Sequence, residues 1–218
     1  MTSPAARDKM IIVFTKVPVP GKTKTRLIPL LGEDGAADMH REMSDYILMI
    51  VGEFCRQTSA VTEIRFCGGS RNDMESWLGS GWNLTDQGEG DLGDRLRRAT
   101  EDAFRHGARE VVVIGTDCPE LSIRSLRDAF RRLETNDVVI GPAADGGYYL
   151  IGLSMPAVGL FEGIDWGSRH VMEQTLEKAR KLDLEVAMLE TLHDIDRPKD
   201  YPIWKEIKQK KSRLRNFY

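Results

Sequence analysis

The run Glu110-Val111-Val112-Val113-Ile114-Gly115 constrains the fold most. Four consecutive branched apolar residues leave no polar face, so a strand built from them must be covered on both sides. That is the signature of a central parallel strand between helices. The surroundings agree. Leu92 to His106 reads as a helix closed by Gly107, and Ser122 can cap another running to about Leu133. Met10 to Thr15 is a second buried strand. Glu33 to Thr58 carries Met39, Met43, Ile47, Ile50 and Phe54 three and four residues apart, one face of a long helix. Glu63 to Cys67 reads as a strand, Met74 to Leu78 as a short helix and Trp82 to Leu84 as a short strand. After Asp137 to Gly141, a strand, comes another at Tyr148 to Leu153. Ser168 to Leu182 is helical, Leu184 to Leu189 extended, and a last helix begins at Asp200, its N-cap, and runs to about Lys210. Strands alternating with helices predict an α/β fold with a mostly parallel sheet, mixed in its second half. No repeat and no interdomain linker interrupts the pattern.

Composition narrows the class. The chain has 218 residues, 41% hydrophobic and 30% charged, enough for a globular domain with a sizeable core. Its formal net charge of −3 argues against a general nucleic-acid binder. The basic run Lys205, Lys208, Lys210, Lys211, Arg213, Arg215 reads as a solvated helix end and tail. Cys55, Cys67 and Cys118 lack CxxC or finger spacing, so neither a disulfide framework nor a structural zinc is expected. No apolar run approaches ~18 residues, and the first nine carry no apolar signal core. The expected organisation is a flexible N-terminus over 1–9, one domain over 10–211 and a basic tail over 212–218, located in the cytoplasm.

The first strand runs directly into Lys16-Val17-Pro18-Val19-Pro20-Gly21-Lys22-Thr23-Lys24-Thr25-Arg26. Open α/β sheets bind ligands outside the carboxyl ends of their strands. Four cations at that edge suit a polyanion, usually phosphate; a solvated basic turn is the plainer account. Gly21-Lys22-Thr23 matches the end of a Walker A loop, but the first glycine would fall at Lys16, and GxGxxG is absent.

Acidic groups recur on the same edge. Asp117, in Gly115-Thr116-Asp117-Cys118-Pro119, follows the central strand. A carboxylate beside phosphates suggests a bridging divalent cation, commonly Mg²⁺; an Asx turn or helix cap explains it too. Asp194 and Asp196 alternate around Ile195, so both carboxylates face one way if the backbone is extended; a polar turn is the alternative. His193 beside them reads as a surface histidine.

Three further segments can border a ligand. Gln87 to Arg95, with Gly90-Asp91-Leu92-Gly93, is a glycine-rich turn entering a helix, suited to a base or ribose, or simply a loop with Asp91 as N-cap. Asp145-Gly146-Gly147-Tyr148 allows close backbone approach, or forms a hairpin turn. Trp166-Gly167-Ser168 offers either a substrate wall or a core tryptophan before a helix cap.

Taken in order, these motifs resemble DUF2064, a family of proposed glycosyltransferases with the nucleotide-diphospho-sugar transferase (GT-A) fold. More distantly the chain is similar to guanylyl- and cytidylyltransferases of that fold. The resemblance covers about Met10 to Tyr201, and the N-terminal motif Phe14 to Leu27, with its Lys24-Thr25-Arg26 ending, is its most specific part. It implies a three-layer α/β/α sandwich with one mixed sheet. Lys16, Lys22, Lys24 and Arg26 would contact the phosphates, Thr15 and Gly21 would belong to the same nucleotide site, and Gly90 to Gly93 would lie near the base. Asp117, with Asp194 and Asp196, would hold Mg²⁺ or Mn²⁺, although Gly115 and Pro119 stand where a full DXD would have a second acid. Glu120, Asp145 to Tyr148 and Trp166 to Ser168 would border the acceptor. Asp117, Asp145 and Lys22 are the candidate catalytic residues. The implied activity is transfer from a nucleotide-activated donor, a nucleotide sugar first, to a small-molecule acceptor. Nucleotidyl transfer from an NTP, or nucleotide binding without turnover, are the alternatives.

Overall fold

Consecutive buried side chains alternate between the two faces of the strands, as two-sided packing requires. In β1 (Lys9–Lys16), Ile11 and Val13 pack on one face and Ile12 on the other. In β4 (Glu110–Gly115), Val112 and Ile114 face one layer while Val111 and Val113 face the opposite one. The computed structural model describes residues 8–215. Of the expected termini, 1–7 and 216–218 lie outside the described residues. Lys9 already belongs to β1, and the last helix extends through residues 212–215 of the expected tail.

The remaining elements are α1 (Ile28–Gln57), β2 (Val61–Cys67), α2 (Arg71–Leu78), β3 (Leu84–Asp86), α3 (Leu92–Arg105), α4 (Ile123–Leu133), β5 (Val138–Pro142), β6 (Tyr148–Leu153), α5 (Val171–Lys181), β7 (Val186–Met188) and α6 (Tyr201–Arg215). The strands form one seven-stranded sheet in the order β3-β2-β1-β4-β6-β5-β7. β6 runs antiparallel to both its neighbours, and the other pairings are parallel. α1, α2 and α4 cover one face, where Phe54 stacks on Phe130, and α3 and α5 cover the other. α6 docks Trp204 beside Met39, Met43 and Ile195. This is the mixed-sheet α/β sandwich expected from the sequence.

Several boundaries differ for local reasons. Gly32 adopts φ 72°, ψ 173°, so the regular part of α1 begins after it, although a short turn precedes it from Ile28. The short third strand starts at Leu84, not Trp82. Asn83 only accepts a hydrogen bond from Ile64 N–H, and pairing with β2 begins one residue later. α5 starts at Val171 because Ser168 Oγ accepts the His170 N–H in a turn before the helix. Asp200 does not cap α6. It ends a 3-10 turn, and its carboxylate reaches back to the N–H groups of Asp196 and Arg197.

Strand order sets the position of any site. From β1 the chain moves to β2 and β3 on one side, then returns to place β4 on the other. The carboxyl ends of β1 and β4 therefore diverge at a topological switch point, where such sheets form a crevice.

Candidate active site

A cleft of about 680 Å³ opens at that switch point. Lys16, Lys22, Lys24 and Arg26 line it on the β1 side, Thr116 and Asp117 on the β4 side, and Gly90 to Leu92 along a third wall. Its shape comes from two prolines and a turn. Lys22 and Thr23 N–H both bond to the Val19 carbonyl, and buried Thr23 Oγ1 donates to the Val17 carbonyl. These bonds fold the loop back over the strand end, with Gly21 at the turn behind the cleft wall.

Beneath the loop lies a buried polar cluster that the sequence reading missed. Thr15 Oγ1 sits 3.2 Å from Ser44 Oγ, 3.3 Å from Thr116 Oγ1 and 3.4 Å from His40 Nε2. His40 Nε2 also lies 3.0 Å from the Lys16 carbonyl. Thr15 is thus a strut beneath the cleft as much as a wall of it. Gln87 is a second strut. Its amide donates to the Thr15 and Arg65 carbonyls at 3.1 and 3.0 Å, and its oxygen accepts from Arg95 at 3.2 Å. A polar residue on a helix face buried by its neighbours carries no distinctive pattern, so only Gln87 and Arg95, inside the glycine-rich motif, had a legible signal.

The electrostatics are sharply divided. Lys24 places its ammonium 2.9 Å from Asp117 Oδ1 and donates to the Ile195 carbonyl. Asp117 keeps 53% of its side-chain surface open to the cleft. Its deep position pushes the carboxyl up, and Lys24, then His40, outweigh this, leaving it below the usual carboxylate range. The acidic pair is brought to it by the backbone, since Ile195 N–H donates to the Asp117 carbonyl at 2.9 Å. Ile195 is buried, and Asp194 and Asp196 flank it, half-buried. Arg26 pairs with Asp196. Asp194 lies near Asp145, Asp200 and Asp196. Burial first and these like charges second push its carboxyl up.

The other expected residues divide. Gly90, Asp91 and Leu92 reach the cleft, and Asp91 also caps α3 in a reciprocal box with Asp94. Gly93 faces away, against Trp166 and the Phe161 carbonyl. Asp145 accepts the Gly147 N–H at 2.9 Å in an exposed turn. Gly146 (φ 97°) is pressed on the Arg169 carbonyl, leaving no room for a Cβ. Tyr148 and Trp166 meet edge-to-face at 6.3 Å between ring centres. Tyr148, Phe14, Leu92 and Gly115 border a small apolar cavity adjoining the cleft. Gly167 and Ser168 form the turn before α5. Glu120 accepts from His193 N–H and Nδ1 at 2.8 and 3.1 Å, tying the loop after β4 to the acidic segment.

Residues 50–168 match the family described as an uncharacterized protein conserved in bacteria, DUF2064. The chain belongs to this family. The matched segment holds Asp117 and the glycine motifs, while the basic loop and the Asp194 segment lie outside it. A proposed nucleotide-diphospho-sugar transferase from Desulfovibrio desulfuricans G20 is 35% identical, with a TM-score of 0.80 over 87% of this chain and 83% of that one. A 4-diphosphocytidyl-2C-methyl-D-erythritol synthase from Anaerococcus prevotii shares the fold at 11% identity, TM-score 0.60, over 95% and 100% of the two chains. Rv0371C from Mycobacterium tuberculosis H37Rv, solved as a manganese complex, does so at 17% identity, TM-score 0.51, over 89% and 96%. No curated protein matches the sequence. The fold of this DUF2064 member is therefore that of the nucleotide-diphospho-sugar transferases.

Proposed function

We propose that this protein transfers a glycosyl group from a nucleotide-diphospho-sugar to a small-molecule acceptor. One observation carries the reading: Lys16, Lys22, Lys24 and Arg26 converge on a single switch-point cleft whose opposite wall is Asp117. The 35%-identical relative, itself described as a proposed transferase of this kind, supports the donor class. The diphosphate would lie along the basic loop, with the base beside Gly90 to Leu92 and Arg95. Lys22 and Arg26, exposed at the loop's outer side, are placed to neutralise charge developing on the leaving diphosphate. The acceptor would enter past Asp145 to Tyr148 and Trp166 to Ser168. Asp145, exposed in its turn, would take the proton of the acceptor hydroxyl.

A divalent cation fits the donor chemistry on the acidic side. Carboxylate oxygens are the hard ligands Mg²⁺ and Mn²⁺ take, and Asp194 sits among carboxylates with no cation paired to it among the described residues. Asp117, Asp194 and Asp196 would hold the ion, which when bound supplies Lewis-acid stabilisation of phosphate oxygens.

Nucleotidyl transfer is the second reading, favoured by the cation count, since Lys16, Lys22 and Arg26 together suit a triphosphate as well. Product analysis separates the two. The protein is incubated with each nucleotide sugar or NTP, Mg²⁺ and an acceptor panel. Release of a nucleoside diphosphate is expected. Release of pyrophosphate from an NTP would replace glycosyl with nucleotidyl transfer.

A further inference from the structure

The acidic wall of the cleft already holds a cation. Of the loop's charged groups, Lys24 turns inward: 5% of its side-chain surface is exposed, against 63% for Arg26. Its nitrogen joins Asp117 Oδ1 to the Ile195 carbonyl, the peptide oxygen between Asp194 and Asp196. Two features set it apart from a solvated surface lysine. An ammonium withdrawn from water is costly unless paired. Its backbone is also left-handed, φ 50°, ψ 43°, a conformation lysine adopts at a cost. The loop accepts both costs to deliver one positive charge to one point.

That point is bounded by a carboxylate and a backbone carbonyl, oxygen ligands of the kind a divalent ion takes. Among the described residues no three acidic, histidine or cysteine side chains converge to hold an ion. Two of the candidate carboxylates are instead paired within the protein, Asp117 with Lys24 and Asp196 with Arg26. An ion that shared Asp117 Oδ1 with the ammonium would meet a second positive charge at contact distance and be repelled. Lys24 also lines the cleft beside Lys16 and Lys22, so bound phosphates would compete with Asp117 for it.

We infer that Lys24 is a resident cation that holds the divalent-ion position on Asp117 in the nucleotide-free protein. A divalent ion gains Asp117 only when nucleotide phosphates draw the ammonium away. The nucleotide therefore binds first and the ion second. This rests on reading the cleft as a nucleotide site.

The test is Mn²⁺ binding, followed by the paramagnetic resonance of the free ion. Wild type, Lys24→Met and Lys24→Met with Asp117→Asn are compared, alone and with UDP, GDP, ADP or CDP, against nucleotide-only controls. Without nucleotide, Lys24→Met binds Mn²⁺ at least tenfold more tightly than wild type, and Asp117→Asn abolishes the gain. One of the nucleotides tightens Mn²⁺ binding by wild type at least tenfold and by Lys24→Met far less. If Lys24→Met does not fold, Lys24→Gln, which can still donate to the Ile195 carbonyl, carries the same comparison. Equal Mn²⁺ binding by nucleotide-free wild type and variant overturns the role of Lys24, while thermal stabilisation of wild type by a nucleotide would still stand by itself. A gain in the variant with neither protein responding to any nucleotide overturns the exchange, and the nucleotide reading with it.

Discussion

His40 shows how much of the site rests on groups that never touch a ligand. It is buried on α1, and its Nε2–H holds the Lys16 carbonyl where the basic loop leaves β1. Burial, the largest influence, holds its pKa below the ordinary value, against the pull of Asp117. The folded protein thus resists a proton that the unfolded chain accepts at about 6.5. Stability is full above that pH and is lost as the pH falls through the interval down to the folded value. His40→Gln, which can still donate to the carbonyl, should flatten this dependence. Melting temperature measured from pH 7.5 to 5 should fall more for wild type than for the variant, and parallel curves would refute the assignment. The sequence could not disclose this residue. His40 lies in a helix at no motif spacing; its partner Thr15 is 25 positions away, and Thr15 in turn reaches Thr116, 101 positions on. The basic loop and Asp117 were legible because their chemistry is concentrated in short segments at strand ends.

Among the elements, legibility followed the strength of the local signal. Ser122 capping α4, with Ser125 N–H bonded to its Oγ, and the strand Glu110 to Gly115 are both where the pattern puts them. The edge strand β7 is shorter than its apolar run. Leu184 N–H still bonds to the Ala179 carbonyl as α5 ends, and pairing with β5 starts only at Val186. Gly93 is the instructive miss. Read as a wall of the base pocket, it instead lets α3 close on the 161–166 loop. A Cβ there would stand 2.5 Å from the Phe161 carbonyl oxygen and 2.6 Å from Trp166 Nε1. Gly93→Ala should therefore cost ~1–3 kcal/mol through overpacking. That lowers the melting temperature of a chain this size by roughly 2–12 °C. An unchanged melting temperature would show that the loop gives way freely.

At the scale of the molecule, the sheet order does the positioning. It brings a loop near residue 20, a turn near 117 and a segment near 195 to one crevice, a conjunction that no local pattern encodes. The parallel alternation was readable from the apolar runs. The return of β6 antiparallel between β4 and β5 was readable only as a crowding of strands after Asp137. If the loop cations hold an anionic nucleotide as proposed, its binding should depend on salt, since exposed charges are screened within about 8 Å at physiological ionic strength. Lys22→Ala should weaken nucleotide binding about 10- to 100-fold, as expected for a charge-assisted phosphate contact worth ~1.5–3 kcal/mol. Arg26→Ala should weaken it less, because Arg26 must first leave Asp196. Calorimetric titration at two salt concentrations would show both, and equal affinity of all three proteins would place the phosphates elsewhere.

The most direct measurement is thermal stabilisation of the wild-type protein by UDP-, GDP-, ADP- and CDP-sugars and by free NTPs, each with and without Mg²⁺ or Mn²⁺. A ligand at ~100 times its dissociation constant that binds only the folded state adds about 2.7 kcal/mol, a readable shift. Selective stabilisation by one nucleotide sugar, strengthened by the ion and reduced in Lys22→Ala, is the predicted result. No shift with any nucleotide, under any of these conditions, would contradict the assignment of the cleft.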